Sequence, residues 1–167
     1  MIETPITRLL DAAGVPYRRR EHSVPVYTIE TAAAQRGVVR GEMVKSILLR
    51  EAGGARRAAM ACVLGDDRLD PKVLRDYLDA VDAGWRRLTF ASDEEIRRMT
   101  PGERGAVAPL GLAPEIPVVF DQAIAACVNV NISSGDPWLG LELAAQDLIR
   151  LAGAQTAAIA QHGDKPS

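Results

Sequence analysis

The chain has 167 residues, a length that suits a single domain. Its composition, with 47% hydrophobic and 25% charged residues, is that of an ordinary globular protein and excludes fibrous, low-complexity and disordered classes. A formal net charge of −2 argues against an extended nucleic-acid-binding surface, although clustered arginines leave room for a few phosphate contacts. No run approaches the roughly 20 apolar residues of a membrane span, and Met1 to Leu10 lacks the layout of a secretory signal. We therefore expect a cytoplasmic protein with no membrane partner.

Local signals in the first half of the chain predict two helices, a strand and a hairpin. Thr4 and Gly14 bound the first helix as cap and stop, and Thr28 and Gly37 bound the second in the same way. The segment Glu51-Ala52-Gly53-Gly54 supplies the glycines that a hairpin turn needs. The predicted helices span residues 4–13 and 28–37, and the predicted strands span 17–21, 44–49 and 58–64.

The second half shows no regular alternation of strand and helix. Predicted helices begin at Asp70, at Ser92 with a capping box to Glu95, and near Asp147. Predicted strands span residues 88–90, 117–120, 127–132 and 139–143, with a loop over 100–109. These last strands lie too close together for parallel crossovers, so the predicted class is α+β, with one domain over residues 1–160 and a mobile tail over 161–167.

The cysteines and histidines show no metal-binding spacing. Cys62 and Cys127 lie in separate apolar runs and are predicted to be buried thiols. His22 and His162 are the only histidines, too few for a histidine-rich site. We expect no metal and no cofactor.

Candidate chemistry lies in one strand and two loops, because no nucleophile elbow, P-loop, dinucleotide fingerprint or zinc helix is present. Lys45 interrupts the apolar run of residues 44–49, so its ammonium group either reaches the surface or points into a pocket that receives an anion. Residues 105–109 and 133–137 are small-residue loops whose amides and hydroxyls could meet a carbonyl or ribose, or could simply form turns.

The order of these features along the chain resembles the YbaK/prolyl-tRNA-synthetase-associated family, from about His22 to Leu151. The resemblance is carried by Val44-Lys45-Ser46-Ile47-Leu48-Leu49, Gly105 to Pro109, Ile132-Ser133-Ser134-Gly135, Leu141-Glu142-Leu143 and Asp147-Leu148. It implies a curved mixed β-sheet flanked by helices and a trans-acting deacylase that hydrolyses the ester of mischarged tRNA. The implied partner is the tRNA acceptor end; binding to an aminoacyl-tRNA synthetase stays open.

The same resemblance implies site roles. It places Lys45 near the terminal adenosine, gives Gly105 the task of offering backbone amides to the scissile ester, and places Ser133 in the pocket wall. Further candidates for substrate binding within these motifs are Ser46, Pro109, Ser134 and Gly135. Tyr27 and Thr28 are also expected to line the pocket, where its size and polarity would select the amino acid. The chain departs from cysteine-specific members at Gly140, where some have an acidic residue, and at Arg20, which replaces a tyrosine.

Two other functions fit parts of the pattern. The fold could serve as a noncatalytic adaptor that binds the tRNA acceptor end or a synthetase, since a fold does not guarantee activity. A small-nucleotide hydrolase would need a metal-binding carboxylate cluster, and Asp66, Asp67 and Asp70, which are interpreted as turn and cap residues, form the only dense acidic group. Deacylation itself needs no covalent nucleophile, because an aminoacyl ester is already activated and fixed amides can stabilise its oxyanion.

Overall fold

The computed structural model describes residues 1–53 and 56–162. Gly54 of the predicted hairpin turn and residues 163–167 of the predicted tail lie outside this part of the chain. Gln161, at which the tail was predicted to begin, pairs with Arg68 in a short two-stranded sheet.

In the described ranges, every α-helix except the last follows a residue whose side chain caps it; Ala144, before the last helix, provides no cap. The helices are α1 (Pro5–Ala13), α2 (Ile29–Arg36), α3 (Pro71–Val81), α4 (Asp93–Met99), α5 (Gln122–Ala125) and α6 (Ala145–Ala152), with a 3₁₀ turn at Arg40–Glu42. The Thr4 hydroxyl accepts the Thr7 amide at 3.1 Å, and the predicted capping box of Ser92 and Glu95 is present. Asp70 caps α3. These local predictions are confirmed.

Within residues 1–53 and 56–162, ten strands form three sheets. They are β1 (Tyr17–Glu21), β2 (Val44–Glu51), β3 (Ala58–Leu64), β4 (Arg68–Leu69), β5 (Leu88–Phe90), β6 (Val118–Asp121), β7 (Asn129–Ser133), β8 (Leu139–Ala144), β9 (Gln155–Ala157) and β10 (Ala160–Gln161). The main sheet has the order β5-β2-β3-β6-β9, a second sheet has the order β1-β8-β7, and β10 pairs with β4.

The α+β class is confirmed, and so is the expectation for the closely spaced strands of the second half, since β7 and β8 pair antiparallel and β6 pairs with neither of them. Parallel pairs join β6 to strands that are distant in the sequence. β3 pairs with β6, and β6 with β9, in parallel. The crossover from β6 to β9 passes through α5, β7, β8 and α6, so neighbours in the sheet are not neighbours in the sequence. The strand predicted from residue 127 begins at Asn129, because residues 122–125 before it form α5 under an Asp121 cap.

β3 lies at the centre of the molecule because both of its faces are buried. Met60 and Cys62 face a core that α1, α6 and the second sheet complete. Ala61 and Val63 face the opposite core, which includes Leu74 from α3. None of the helices in the described ranges is long and apolar enough to cross a membrane.

The outer edge of β2 is only half covered. β5 pairs with β2 over Leu49–Glu51, and no strand of the described residues pairs with that side of residues 44–47. An open strand edge presents unpaired backbone groups. The candidate site lies along this edge.

Candidate functional site

A cavity of about 220 Å³ opens beside the uncovered half of β2. It is lined by Val26, Tyr27, Thr28, Ile29, Ala32, Arg36, Met43, Val44, Lys45, Ser46, Ile47, Gly105, Val107, Ser133 and Asp136. Three segments far apart in the sequence therefore meet here: β2 with the chain before it, the loop around Gly105, and the end of β7. Six of the nine residues predicted for the site line the cavity, and Pro109, Ser134 and Gly135 do not.

The strand edge offers backbone hydrogen-bonding groups to this cavity. An antiparallel strand turns its amides and carbonyls alternately to its two sides. The Leu48 carbonyl accepts the Ala91 amide at 3.0 Å on the β5 side. The amide and carbonyl of Ser46, two residues earlier, therefore point to the same side, where no strand follows.

Lys45 belongs to the wall of the cavity and is half-buried. Its ammonium group donates to the backbone carbonyl of Asp67 and has no carboxylate within 4.0 Å among the described residues. Burial lowers the pKa of Lys45, and the nearby positive charge of Arg40 lowers it further. Lys45 therefore lines the cavity while its ammonium group is held by a backbone carbonyl, and its role as a ligand-binding cation stays a prediction.

Gly105 is pressed against the backbone of Tyr27. Its φ is +83°, and a Cβ atom there would lie 2.4 Å from the Tyr27 carbonyl oxygen and 2.8 Å from Tyr27 Cα. No acceptor within the described ranges binds the Gly105 amide, so it remains available to a ligand. The close approach shows that this glycine also fixes the position of Tyr27.

In the loop after β7, one predicted residue lines the cavity and the other two stabilise the loop itself. The half-buried Ser133 hydroxyl accepts the Gly135 amide at 3.1 Å and keeps its proton free to donate. Ser134 is buried and donates to the Leu139 carbonyl at 2.7 Å. A Cβ on Gly135 would lie 2.9 Å from the Pro101 carbonyl oxygen. Ser134 and Gly135 thus hold the loop in shape, while Ser133 faces the cavity.

Pro109 is buried away from the cavity, at the end of the loop of residues 105–109. Its place agrees with a stiffening role, since proline fixes the backbone and donates no hydrogen bond. No contact in the structure gives it a direct part in binding.

Arg36 lines the cavity and was not predicted from the sequence. It is 7% exposed, and its Nε donates to His22 Nε2 at 3.2 Å. His22 Nδ1 in turn donates to the Pro137 carbonyl at 2.8 Å, which fixes the neutral tautomer with Nε2 as the acceptor. Burial lowers the pKa of His22, and burial together with the charge of Arg20 lowers the pKa of Arg36 to about 10.

The Arg36 guanidinium fits because position 140 is glycine. A Cβ on Gly140 would lie 2.1 Å from Arg36 Nε. No carboxylate of the described residues forms an ion pair with Arg36. A glycine within a strand marks a close approach, so Gly140 is a signal in the sequence that some neighbour lies close to β8, although it does not say which residue this is.

Asp136 is the second charged residue of the cavity wall that was not predicted from the sequence. It is partly exposed, and its Oδ1 accepts the Trp138 amide at 2.8 Å, which leaves Oδ2 free. The cavity therefore contains a carboxylate as well as the cations Lys45 and Arg36.

Neither cysteine is placed to act as a nucleophile. Cys62 is fully buried beneath Ser46, its Sγ lies 3.6 Å from Ser46 Oγ, and burial raises its thiol pKa to about 12. Cys127 is half-buried rather than buried as predicted, its pKa is raised by burial, and it lies outside the cavity.

The acidic group that a metal-dependent nucleotide hydrolase would need is engaged elsewhere. Asp66 lies 3.3 Å from Arg40, Asp67 lies 3.2 Å from His162, and Asp70 caps α3. Residues 1–53 and 56–162 contain no group of three or more histidine, cysteine or acidic side chains that could hold a metal ion.

Comparison with known proteins assigns the chain to a family. Residues 23–151 match the family model of the aminoacyl-tRNA editing domain. The chain belongs to this family. The editing domain is 30% identical over 146 residues to the prolyl-tRNA editing protein ProX of Acetoanaerobium sticklandii, and the match covers 85% of each protein. It is 31% identical over 124 residues to the proline–tRNA ligase of Trichlorobacter lovleyi; this match covers 74% of the chain but spans only 20% of the ligase.

Solved structures share the fold of this editing domain. The crystal structure of the hypothetical protein APE2540 superposes with a TM-score of 0.82 at 24% identity, covering 93% of this chain and 99% of that one. A proposed trans-editing enzyme for prolyl-tRNA synthetase superposes with a TM-score of 0.74 at 25% identity, covering 96% and 99%. The family and the fold class predicted from the sequence are confirmed.

Proposed function

We propose that this editing domain is a trans-acting deacylase that hydrolyses the ester bond of mischarged aminoacyl-tRNA. The observation that carries the proposal is the convergence of Lys45, Gly105 and Ser133 on one cavity beside an open strand edge. A noncatalytic adaptor has no need to gather a cation, a free backbone amide and a hydroxyl around one small volume. Relatives that carry the name of editing protein or proline–tRNA ligase support the same substrate class.

The proposed roles follow from the groups that each residue offers. The Lys45 ammonium binds an oxygen of the terminal ribose or phosphate as a point charge. The Gly105 amide and the Ser133 hydroxyl donate to the ester carbonyl, whose oxygen gains negative charge in the transition state. The Ser46 backbone hydrogen-bonds the terminal adenosine. Tyr27 and Thr28 form the wall next to the aminoacyl group.

Asp136 adds a role that the sequence did not suggest. An aminoacyl ester carries an α-amino group that is largely protonated near neutral pH, since α-amino groups titrate at about 8. The free carboxylate oxygen of Asp136 in the cavity wall is a natural partner for that ammonium group. This contact would distinguish an aminoacyl-tRNA from one whose amino group is blocked.

The reaction needs no covalent enzyme intermediate. The attacking oxygen comes from water, directly or after transfer of the acyl group to a substrate hydroxyl or thiol. In the direct route the water oxygen bonds to the ester carbon, the bond from that carbon to the ribose oxygen breaks, and the ribose oxygen takes up the proton that the water gives up. In the indirect route the substrate hydroxyl or thiol forms the bond to the carbon, passes its proton to the departing ribose oxygen, and water then hydrolyses the new ester or thioester. Free amino acid and tRNA with intact terminal hydroxyls are released. Positioning and oxyanion stabilisation supply the rate enhancement.

The substrate proposed here places the protein in the cytoplasm, where tRNA is charged. The match over 85% of ProX supports action as a separate protein, and a synthetase that delivers mischarged tRNA is a further proposed partner.

The experiment is a deacylation assay on a panel of mischarged tRNAs, with Ser133→Ala and the remote surface variant Arg8→Ala as a matched pair. We expect turnover of at least one substrate and a loss of about tenfold in kcat/KM for Ser133→Ala only. Binding of tRNA without turnover of any substrate would instead support the adaptor function.

A further inference from the structure

The reaction cavity does not end at Lys45. A second cavity of about 380 Å³ shares Lys45 and Ile47 with it and continues along the sheet to Phe90. We call this second cavity the Phe90 groove; besides Lys45 and Ile47 it is lined by Arg68, Leu69, Asp70, Pro71, Phe90 and Gln161. A third cavity of about 620 Å³ shares Asp70 and Pro71 with the groove and is also lined by Lys72, Arg75, Asp76, Arg87 and Leu88.

The strand register places the Phe90 ring on the same face of the sheet as Lys45. Phe90 is the partner of Leu49 in the β2–β5 pair, and directly paired residues direct their side chains to the same face. Lys45 and Leu49 are four residues apart on β2, so they also share a face and lie roughly 13 Å apart. Phe90 is 62% exposed, whereas its partner Leu49 is buried in the core that includes Leu74 of α3.

The groove and the third cavity carry positive charge that the protein does not neutralise. Arg68, Lys72 and Arg87 form no ion pair with a carboxylate in the part of the chain that the structure describes. Two carboxylates also line these cavities: Asp70 accepts the Lys72 and Val73 amides, and Asp76 lies 3.1 Å from Arg75. The cations of the linings, which are Lys45, Arg68, Lys72, Arg75 and Arg87, therefore outnumber the carboxylates. The overall net charge of −2 hides this local excess.

An exposed aromatic ring beside unpaired cations is the pattern that binds single-stranded nucleic acid, through base stacking and phosphate contacts. We propose that the Phe90 groove binds the unpaired nucleotides that precede the terminal adenosine of the acceptor end. One base stacks on Phe90, and the phosphates lie near Arg68, Lys72 and Arg87. The inference rests on the proposed function, because the terminal adenosine must occupy the first cavity.

The test compares two substrates that carry the same aminoacyl ester. One is a mischarged minihelix, and the other is the aminoacyl-adenosine alone, which lacks every preceding nucleotide. For Phe90→Ala we expect kcat/KM to fall about tenfold on the minihelix and to change less than about twofold on the aminoacyl-adenosine. Phe90→Trp should restore activity on the minihelix, and Val128→Ala, which removes methyl groups from an 82% exposed side chain outside the groove, should change neither.

A second measurement reads stacking directly. A minihelix with 2-aminopurine at the penultimate position should lose fluorescence on binding the wild-type protein and keep it on binding Phe90→Ala. An abasic nucleotide at the stacked position should cost as much as Phe90→Ala, and the two losses should not add.

The outcomes separate this inference from the proposed function. Absence of turnover of both substrates by the wild-type protein would refute the deacylase itself. Turnover of both substrates with equal losses, or no loss, for Phe90→Ala would refute the groove and leave the deacylase standing.

Discussion

The guanidinium of Arg36 occupies the space that Gly140 leaves open, and a Cβ atom at position 140 would lie 2.1 Å from Arg36 Nε. Through Arg36, the same glycine supports the hydrogen bond to His22 at 3.2 Å and one wall of the reaction cavity. Gly140 in β8 therefore helps to shape the wall of a cavity that it does not itself line.

Gly140→Ala should destabilise the protein, because the new methyl group must displace a buried guanidinium. We expect a loss of about 1–3 kcal/mol in the free energy of unfolding, measured by urea denaturation. Gly41→Ala is the matched control: a Cβ there meets only Asp66 Oδ2 at 3.5 Å, an ordinary contact. Equal stabilities for the two variants would show that Arg36 moves aside at no cost.

The pH dependence of stability should carry a contribution from His22. Its pKa is lowered from the usual 6.5 by burial, so the unfolded chain takes up a proton more readily than the folded one. The stabilising contribution of neutral His22 is complete above the unfolded pKa and is lost as the pH falls below about 6.5 toward the folded pKa. His22→Asn should reduce the fall in stability between about pH 7 and pH 5, measured by urea denaturation at each pH. If the free energy of unfolding depends on pH in the same way in His22→Asn as in the wild-type protein, His22 is not the source of this pH dependence.

Lys45→Ala should reduce deacylation about tenfold or more while leaving the fold intact, because it removes a cation from the cavity wall and not a core side chain. The loss should shrink at high salt if the contact is to phosphate, since salt weakens phosphate contacts of the wild-type protein. Arg8→Ala on the exposed face of α1 is the control for a lost positive charge. Near-normal turnover by Lys45→Ala would show that Lys45 does not contribute to deacylation.

Gly105→Ala should damage activity through Tyr27. The methyl group would clash with the Tyr27 backbone and displace the cavity wall. Gly14→Ala is matched for backbone strain, with φ of +66° and nothing within 4 Å of its Cβ. Both variants should lose about 1–2 kcal/mol of stability from the left-handed backbone, but only Gly105→Ala should lower kcat/KM. Parallel losses of activity in both would mean that general destabilisation is the cause.

Sequence reasoning succeeded where the signal is local. Thr4, Asp70 and Ser92 cap helices because their side chains reach amides two or three residues away, which is visible in the sequence itself. The two- and three-residue strands β4, β9 and β10 were missed, since so few residues carry no periodicity and depend on distant partners.

The site was predicted in part for the same reason. Lys45 stands out against an apolar run, and the small-residue loops at Gly105 and Ser133 are visible as motifs. Arg36 and Asp136 look like ordinary surface charges in the sequence. Only the pairing of β8 with β1 and β7 brings Gly140 beside Arg36 and creates the buried site for its side chain.

The contact between Gly135 and Pro101 has a consequence for how the substrate range can change. Because a Cβ at Gly135 would lie 2.9 Å from the Pro101 carbonyl oxygen, the two loops that bear Gly105 and Ser133 are wedged together. An insertion or deletion in either loop would shift both hydrogen-bond donors at once and misalign them with the ester. The substrate range can therefore change more readily through side-chain exchange elsewhere in the cavity wall, for example at Ala32 in α2, than through a change in the length of either loop.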